Sequence, residues 1–288
     1  MALVAVLWML AALMITTSGV VYAVRGEVRS VTSYREMAVA GAMTDAGIVL
    51  AARDLAGARE RDNRLLRYEV VIEQTAVGIR IVPLTGLIDL NAAAEPLLAD
   101  LIAVAGDVDR ATAAILAQRI IDWRDADEQA RPDGAENGAY AAAGSPYRTR
   151  GGSFESPEDL LQVLGIDFDL YTKLRPLVTV HNRGSGRVDP SAAPQEVLRI
   201  LAGGNEQLVR DYEGAREASG RLADTTRFPA AYIAPSRASP RFLFEASVRL
   251  SSGAYLVSRR VLDISTGRDG LPWRTLWVER VVEPELAA

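Results

Sequence analysis

Residues 1–24, MALVAVLWMLAALMITTSGVVYAV, contain no charged side chain, and the first charge is Arg25. As a helix such a run is about 36 Å long, enough to cross a hydrocarbon core of about 30 Å. It is expected to be a transmembrane helix. A cleaved signal peptide and a buried core helix are the alternatives, but the former calls for a basic n-region that Met1-Ala2-Leu3 does not supply. Residues 25–58 lack proline, and Val28, Val31, Tyr34, Met37 and Ala38 recur at helical spacing between Arg25, Glu27, Arg29, Arg35 and Glu36. That pattern predicts an amphipathic continuation of the same helix, stopping near Gly57.

Beyond the helix the period changes from 3.6 to 2. Val70, Ile72, Ile79 and Ile81 alternate with polar or small residues and predict strands within 68–90. Phe242, Phe244 and Ala246, then Tyr255 and Val257, then Leu276, Val278 and Val281 predict three more. Ser251-Ser252-Gly253 fits a hairpin turn, and residues 266–270 a loop. Between the strands the pattern is helical. Residues 110–123 place Ile115, Leu116, Ile120 and Trp123 near one face, while 219–240, with Pro229, Pro235 and Pro240, read as a linker. The expected fold class is α+β, a small antiparallel sheet interrupted by a large α-helical insertion. The expected divisions are 1–24 and 25–58 for the helix, 59–91 with 239–288 for the sheet domain, and 92–238 for the insertion.

An internal echo supports this division. Gly86, Asp89, Asn91, Ala92 and Ala93 recur one hundred residues later as Gly186, Asp189, Ser191, Ala192 and Ala193, and Leu98 and Leu101 as Leu198 and Leu201. Asn91 and Ser191 are natural N-caps, so each copy reads as strand end, cap, helix.

Composition narrows the chemistry. The chain has no cysteine, which removes disulfides, thiolate metal sites and thiol catalysis, and its one histidine, His181, excludes a multi-histidine metal centre. A net charge of −5 argues against a general nucleic-acid or acidic-lipid binder. No nucleophile–base pair is apparent, so an anchored hydrolase is disfavoured and no enzyme activity is expected. His181 reads as an incidental loop residue.

Two motifs remain. Residues 155–177 read as a helix–hairpin–helix unit, with Ser156 as cap, Pro157 at the first helical position, Asp159 completing a capping box and Gly165 at the turn. Such hairpins often bind nucleic-acid phosphates, but here Glu155, Glu158, Asp159, Asp167 and Asp169 face only Lys173 and Arg175, so packing is the better reading. The second motif is an acidic loop containing Asp122, Asp125, Asp127 and Glu128, followed by Asp133, Glu136 and Asn137. Asp125 and Asp127, two apart, with Glu136 and Asn137 returning, offer hard oxygen ligands suited to calcium, though not an EF-hand; a solvated acidic loop is equally compatible.

Taken together, MALVAVLWMLAAL at the start, IDLN at 88–91, IIDWRDAD at 120–127, DGAENGAY at 133–140, SPYRTRGGSFESPEDLLQVLGI at 145–166 and YTKLRPLVTV at 171–180 resemble the general secretion pathway protein K family. These are minor pseudopilins of type II secretion systems. The resemblance implies a pilin-like N-terminal helix, a small sheet and a helical insertion with helix–hairpin–helix-like units. It implies an inner-membrane protein with its soluble part in the periplasm, capping and initiating the pseudopilus that drives protein export. Implied partners are the other minor pseudopilins, the major pseudopilin, the inner-membrane assembly platform and a prepilin peptidase, with no nucleic acid. It implies calcium at Asp125, Asp127, Glu136 and Asn137, with Asn137 standing where an acid is common. Met1 is expected to be the mature N-terminus, and Ala5 then stands where the family's other subunits carry a glutamate. A membrane-anchored DNA-binding protein of a competence system is the competing expectation.

Overall fold

The computed structural model describes residues 2–58, 63–182, 184, 186–237, 239–265 and 272–284, with the side chains of 11, 19–26, 28, 29 and 221 left out. Met1 and the loop expected at 266–270 lie outside the described residues. One helix, α1 (Ala2–Gly57), takes in the first 56 described positions. Its early described side chains, Leu3 to Leu10 and Leu13 to Ile15 among them, are exposed, and its second half is packed. Ala40, Thr44, Ile48, Ala51, Ala52 and Leu55 are buried, three or four residues apart, and form the stripe that meets the sheet. Gly47 lets the helix approach closely, since a Cβ there would lie 2.9 Å from Ile79 Cδ1. Among the described residues no helix is long and apolar enough to cross a membrane, so the span expected at 1–24 gains no support from the structure.

The sheet has five antiparallel strands: β1 (Leu66–Ile72), β2 (Thr75–Pro83), β5 (Arg241–Arg249), β6 (Tyr255–Asp263) and β7 (Arg274–Glu283), ordered β1-β2-β5-β6-β7. The strand region expected at 68–90 is a hairpin, its two-residue turn at Glu73 and Gln74 with φ of 46° and 71°. Two consecutive left-handed residues match the twist of the flanking strands. The second hairpin turns where the sequence places it, at Ser251–Gly253, with Gly253 at φ 91°. Alternation assigns the faces. Val77, Ile79, Ile81, Phe242, Phe244 and Ala246 pack on α1, whereas Val82, Leu243 and Val261 point to the helical region. α1 is fastened by polar contacts as well. Thr44 Oγ1 lies 2.8 Å from Ser258 Oγ, and Asp45 accepts from Arg260 at 2.6 Å and Arg280 at 2.7 Å.

Between β2 and β5 the chain builds α2 (Glu95–Gly106), α3 (Arg110–Arg124), α4 (Asn137–Ala142), α5 (Phe168–Leu174), α6 (Gln195–Leu201) and α7 (Glu206–Ser219). A two-residue strand β3 (Ile88–Asp89) pairs in parallel with β4 (Val178–Thr179). Asp109 caps α3 by accepting from the N–H groups of Ala111 and Thr112, both at 3.0 Å.

The internal echo is reciprocal in space. A Cβ on Gly86 would lie 2.3 Å from Ala192 O, and one on Gly186 would lie 2.0 Å from Ala92 O. Each copy's glycine therefore admits the other copy's turn. In each turn the aspartate accepts from the backbone two residues on, Asp89 from Asn91 and Asp189 from Ser191, both at 2.9 Å. In each, an arginine from the second helix clamps the turn carbonyls: Arg124 on Leu90 and Ala93, Arg216 on Pro190 and Ala193.

Three expectations are corrected. Asn91 and Ser191 do not cap helices; Ala94 and Pro194 hold those positions, because the intervening Ala-Ala pair completes a turn first. Asn91 instead bonds Phe154 at its N–H (2.7 Å) and its carbonyl (3.0 Å). The first arm of the expected helix–hairpin–helix is a six-residue 3-10 turn, Pro157–Gln162, rather than an α-helix. Finally, 219–240 is no free linker. Phe228 is buried edge-on against Tyr212, Tyr232 bonds Asp100 at 2.7 Å, and Val188 bridges Ile233.

Candidate metal centre

Asp125 directly follows α3, and its N–H closes the helix onto Ile121 O at 3.0 Å. Asp127 stands in the next turn, with Oδ1 accepting from Gln129 N at 2.9 Å. Glu136 is the N-cap residue of α4; its carbonyl receives Ala139 N, while its side chain is free to point inward. The result is that one carboxylate oxygen from each of Asp125, Asp127 and Glu136 lies within 4.8 Å of the others. Oxygens on opposite sides of a calcium ion, each about 2.3–2.6 Å from it, span a similar distance.

Negative charge outweighs positive charge at these carboxylates. Glu136 is buried and neither of its oxygens has a hydrogen-bond partner; Asp125 Oδ1 is orphaned in the same way. Burial first, then the charges of Asp122, Asp125 and Glu128, push the Glu136 carboxyl up to about 7. Asp125 is also raised, by burial and then by Asp127 and Asp122. Asp122, fully buried, is raised mainly by burial and receives Arg131 N at 3.1 Å. Arg131 is the neighbouring base, 3.4 Å from Asp122 and 3.6 Å from Glu95, and it is partly exposed. Buried carboxylates in this density are tolerable when they are protonated or hold a cation. The donor set, all oxygen and without sulfur or imidazole, fits a hard divalent ion.

Asn137 is placed differently from the other three. Its carbonyl oxygen accepts from Thr149 N and Oγ1, both at 3.1 Å, and its amide donates to Glu128 at 2.6 Å. It braces the far strand of the loop and carries Glu128. The sequence reading placed Asp122 in the acidic loop but not at the site, and it passed over Thr149. Asp122 was legible as an acid inside the apolar run Ile120-Ile121-Asp122-Trp123, three residues before Asp125 and hence on the same side of the helix end. Nothing local marks Thr149.

The loop's return is pinned. Arg150 N and Gly151 N donate to Trp123 O at 3.1 and 3.2 Å, and the Trp123 ring stacks on Phe154 at 4.2 Å between centroids. Gly134 is required, since a Cβ there would fall 1.8 Å from Asp122 Oδ2. His181 stands apart. Its N–H donates to Thr179 Oγ1, its carbonyl accepts from Arg241 at 2.6 Å, and its Nε2 is buried without a partner.

Residues 85–183, which include the loop, match the family of type II secretion system protein K. The chain is 43% identical over 72 residues to the type II secretion system protein K of Pectobacterium carotovorum subsp. carotovorum. That match covers 25% of this chain and spans only 21% of the relative's length. The fold is similar to a chain in the crystal structure of the GspK-GspI-GspJ complex of the enterotoxigenic Escherichia coli type 2 secretion system. There the TM-score is 0.57 at 15% identity, over 88% of this chain and 99% of that one. It is therefore through residues 85–183, acidic loop included, that the chain is similar to the type II secretion system protein K family.

Proposed function

We propose that the protein is a minor pseudopilin of a type II secretion system, acting at the periplasmic tip of the pseudopilus. The family match over residues 85–183 carries this reading, and the likeness of the whole fold to a chain of the GspK-GspI-GspJ complex is consistent with it. In this reading the partners are the other minor pseudopilins of a tip complex, followed by the major pseudopilin and the assembly platform. The uncharged residues 1–24 anchor α1 in the inner membrane, with the described side chains up to Ser18 exposed for lipid or for neighbouring helices. The breadth of the helical region suits a capping subunit, because a wide head blocks another subunit from stacking above it. Ala5, exposed on α1, needs no partner ahead of it as a buried glutamate would.

The acidic loop holds calcium in this reading, on Asp125, Asp127 and Glu136, with Asp122 and Glu128 adding negative charge around them and Asn137 bracing the loop through Thr149. The ion neutralises carboxylates that the fold has already desolvated, and so ties α3 to α4.

Deleting the protein from its host is expected to abolish type II export, with restoration by a plasmid copy; unimpaired export would overturn the reading. Calcium is expected to raise the melting temperature by mass action. Asp125→Ala with Asp127→Ala should remove that rise. Equal melting in calcium and in chelator would show a loop that binds no ion.

A further inference from the structure

On the sheet face turned away from α1, one row of directly paired positions is charged on every strand. Arg67 of β1 lies opposite Arg80 of β2, Arg80 opposite Glu245 of β5, Glu245 opposite Arg259 of β6, and Arg259 opposite Glu279 of β7. From β7 inward the signs alternate, and the contacts follow. Arg259 Nη1 is 3.3 Å from Glu279 and Arg259 Nε is 2.6 Å from Glu245. Arg175, just after α5, also pairs with Glu279 and locks the helical region onto this row.

At β1 the alternation fails. Arg67 puts a second cation directly opposite Arg80, and like charges so placed in an antiparallel pair are destabilising. Arg80 is half-buried, and its Nε has no partner. Neither arginine makes a hydrogen bond or ion pair among the described residues. Burial lowers the Arg80 pKa; Glu245 opposes this, and Arg67 adds to it. Among the described residues, carboxylates near this end include Glu69, two residues along β1 on the same face, Glu196 at the start of α6, and Glu217 in the groove that Arg67 also lines, none of them in an ion pair with the two arginines. Glu213, in the groove beside Arg64 and Arg67, is 3.6 Å from Arg216.

The ground next to the two arginines is open. Gly78, paired with Glu69 on one side and Ser247 on the other, has no side chain and leaves a groove of about 350 Å³ reaching Arg67, Arg80 and Glu245. The outer edge of β1 has no strand beside it among the described residues, and Val71 and Tyr68 on it are 74% and 39% exposed. A row of free backbone donors and acceptors is a template for another strand.

We infer that the edge of β1 docks an extended acidic segment of a partner polypeptide, which adds as a sixth strand and sets a carboxylate opposite Arg67, extending the charged row by one strand and offsetting the excess positive charge at this end. Backbone pairing supplies the attachment, and the uncompensated arginines select for acid. The inference does not depend on the family reading.

The probe is a labelled ten-residue peptide of alternating valine and glutamate, titrated onto the full chain in detergent, with the glutamine counterpart as control. The glutamate peptide is expected to bind at least about tenfold more tightly than the glutamine one, to weaken with salt, and to protect the amides of residues 66–72 from exchange. Arg67→Glu is expected to abolish binding without lowering the melting temperature, because it restores the alternation; Arg67→Gln should weaken binding and leave the fold intact. Equal binding of both peptides, undiminished binding to Arg67→Glu, or a drop in melting temperature in that variant overturns the inference. The last would mean that Arg67 already has a counter-charge within the chain. No binding to the wild-type chain also overturns it, and leaves Arg67 as a charge that guards the edge against aggregation.

Discussion

His181, the chain's one histidine, is neutral by construction. Burial, and then the positive charge of Arg241, lower its pKa from the ordinary 6.5. Above that value the ring is neutral in both folded and unfolded chains, so its contribution is constant. As pH falls through 6.5 the unfolded chain takes up a proton that the folded one refuses, and stability drops until the folded-state pKa is passed. Between pH 7.5 and 5 the wild-type chain should therefore lose stability relative to His181→Gln as pH falls, whatever the raised Glu136 carboxyl adds in the opposite direction to both; a pH-independent difference between the two would remove His181 as a source. At the candidate metal centre, Gly134→Ala drives a methyl onto Asp122 Oδ2. The backbone must shift, at a cost of about 1–3 kcal/mol by analogy with overpacked cores. Its melting temperature is expected to fall, and its response to calcium to fall with it, whereas Gly138→Ala, inside α4 with open space around it, should lower neither.

Among the elements, the arginine clamps carry weight out of proportion to their number. Arg216 donates to Pro190 O and Ala193 O from α7, and its removal leaves those two carbonyls without the charged donor. Hydrogen bonds from a charged group are worth about 1.5–3 kcal/mol each. Arg216→Ala is expected to lower stability by about 2–3 kcal/mol in chemical denaturation, and Arg124→Ala by a similar amount. A change under about 0.5 kcal/mol in both would mean that the turns hold themselves. The echo between the two copies was visible in the sequence because glycine, aspartate and the alanine pair recur at a fixed spacing. The clamps were not, since Arg124 and Arg216 are separated by 92 positions rather than 100 and nothing local ties them to the turns they grip. The same contrast runs through the fold. Strands with a period of two, such as Ile79-Arg80-Ile81 and Phe242-Leu243-Phe244, were readable, as were α3 and the Ser251–Gly253 turn. The Glu73-Gln74 turn was not, because left-handed Glu and Gln carry no turn signature. Of the candidate metal centre, the convergence of Asp125, Asp127 and Glu136 was legible as oxygen donors at short spacing; the commitment of Asn137 to Thr149 was not, because it depends on a return of the chain twelve residues on.

For the whole molecule, the sheet is finished by strands that arrive last. Gly78 pairs with Ser247 about 170 residues away, and everything from β3 to α7 lies between them. Until β5 is in place, Val77, Ile79 and Ile81 and the inner stripe of α1 have only each other for cover. The helical elements make shorter-range contacts, so their amides are expected to gain protection before those of β2 and β5 in pulse-labelled refolding; simultaneous protection would count against this order. A chain emerging in sequence thus passes through a period in which a bare hairpin, open along both sides, waits for its remaining strands. In a cell, that interval is when the polypeptide needs a chaperone to hold it.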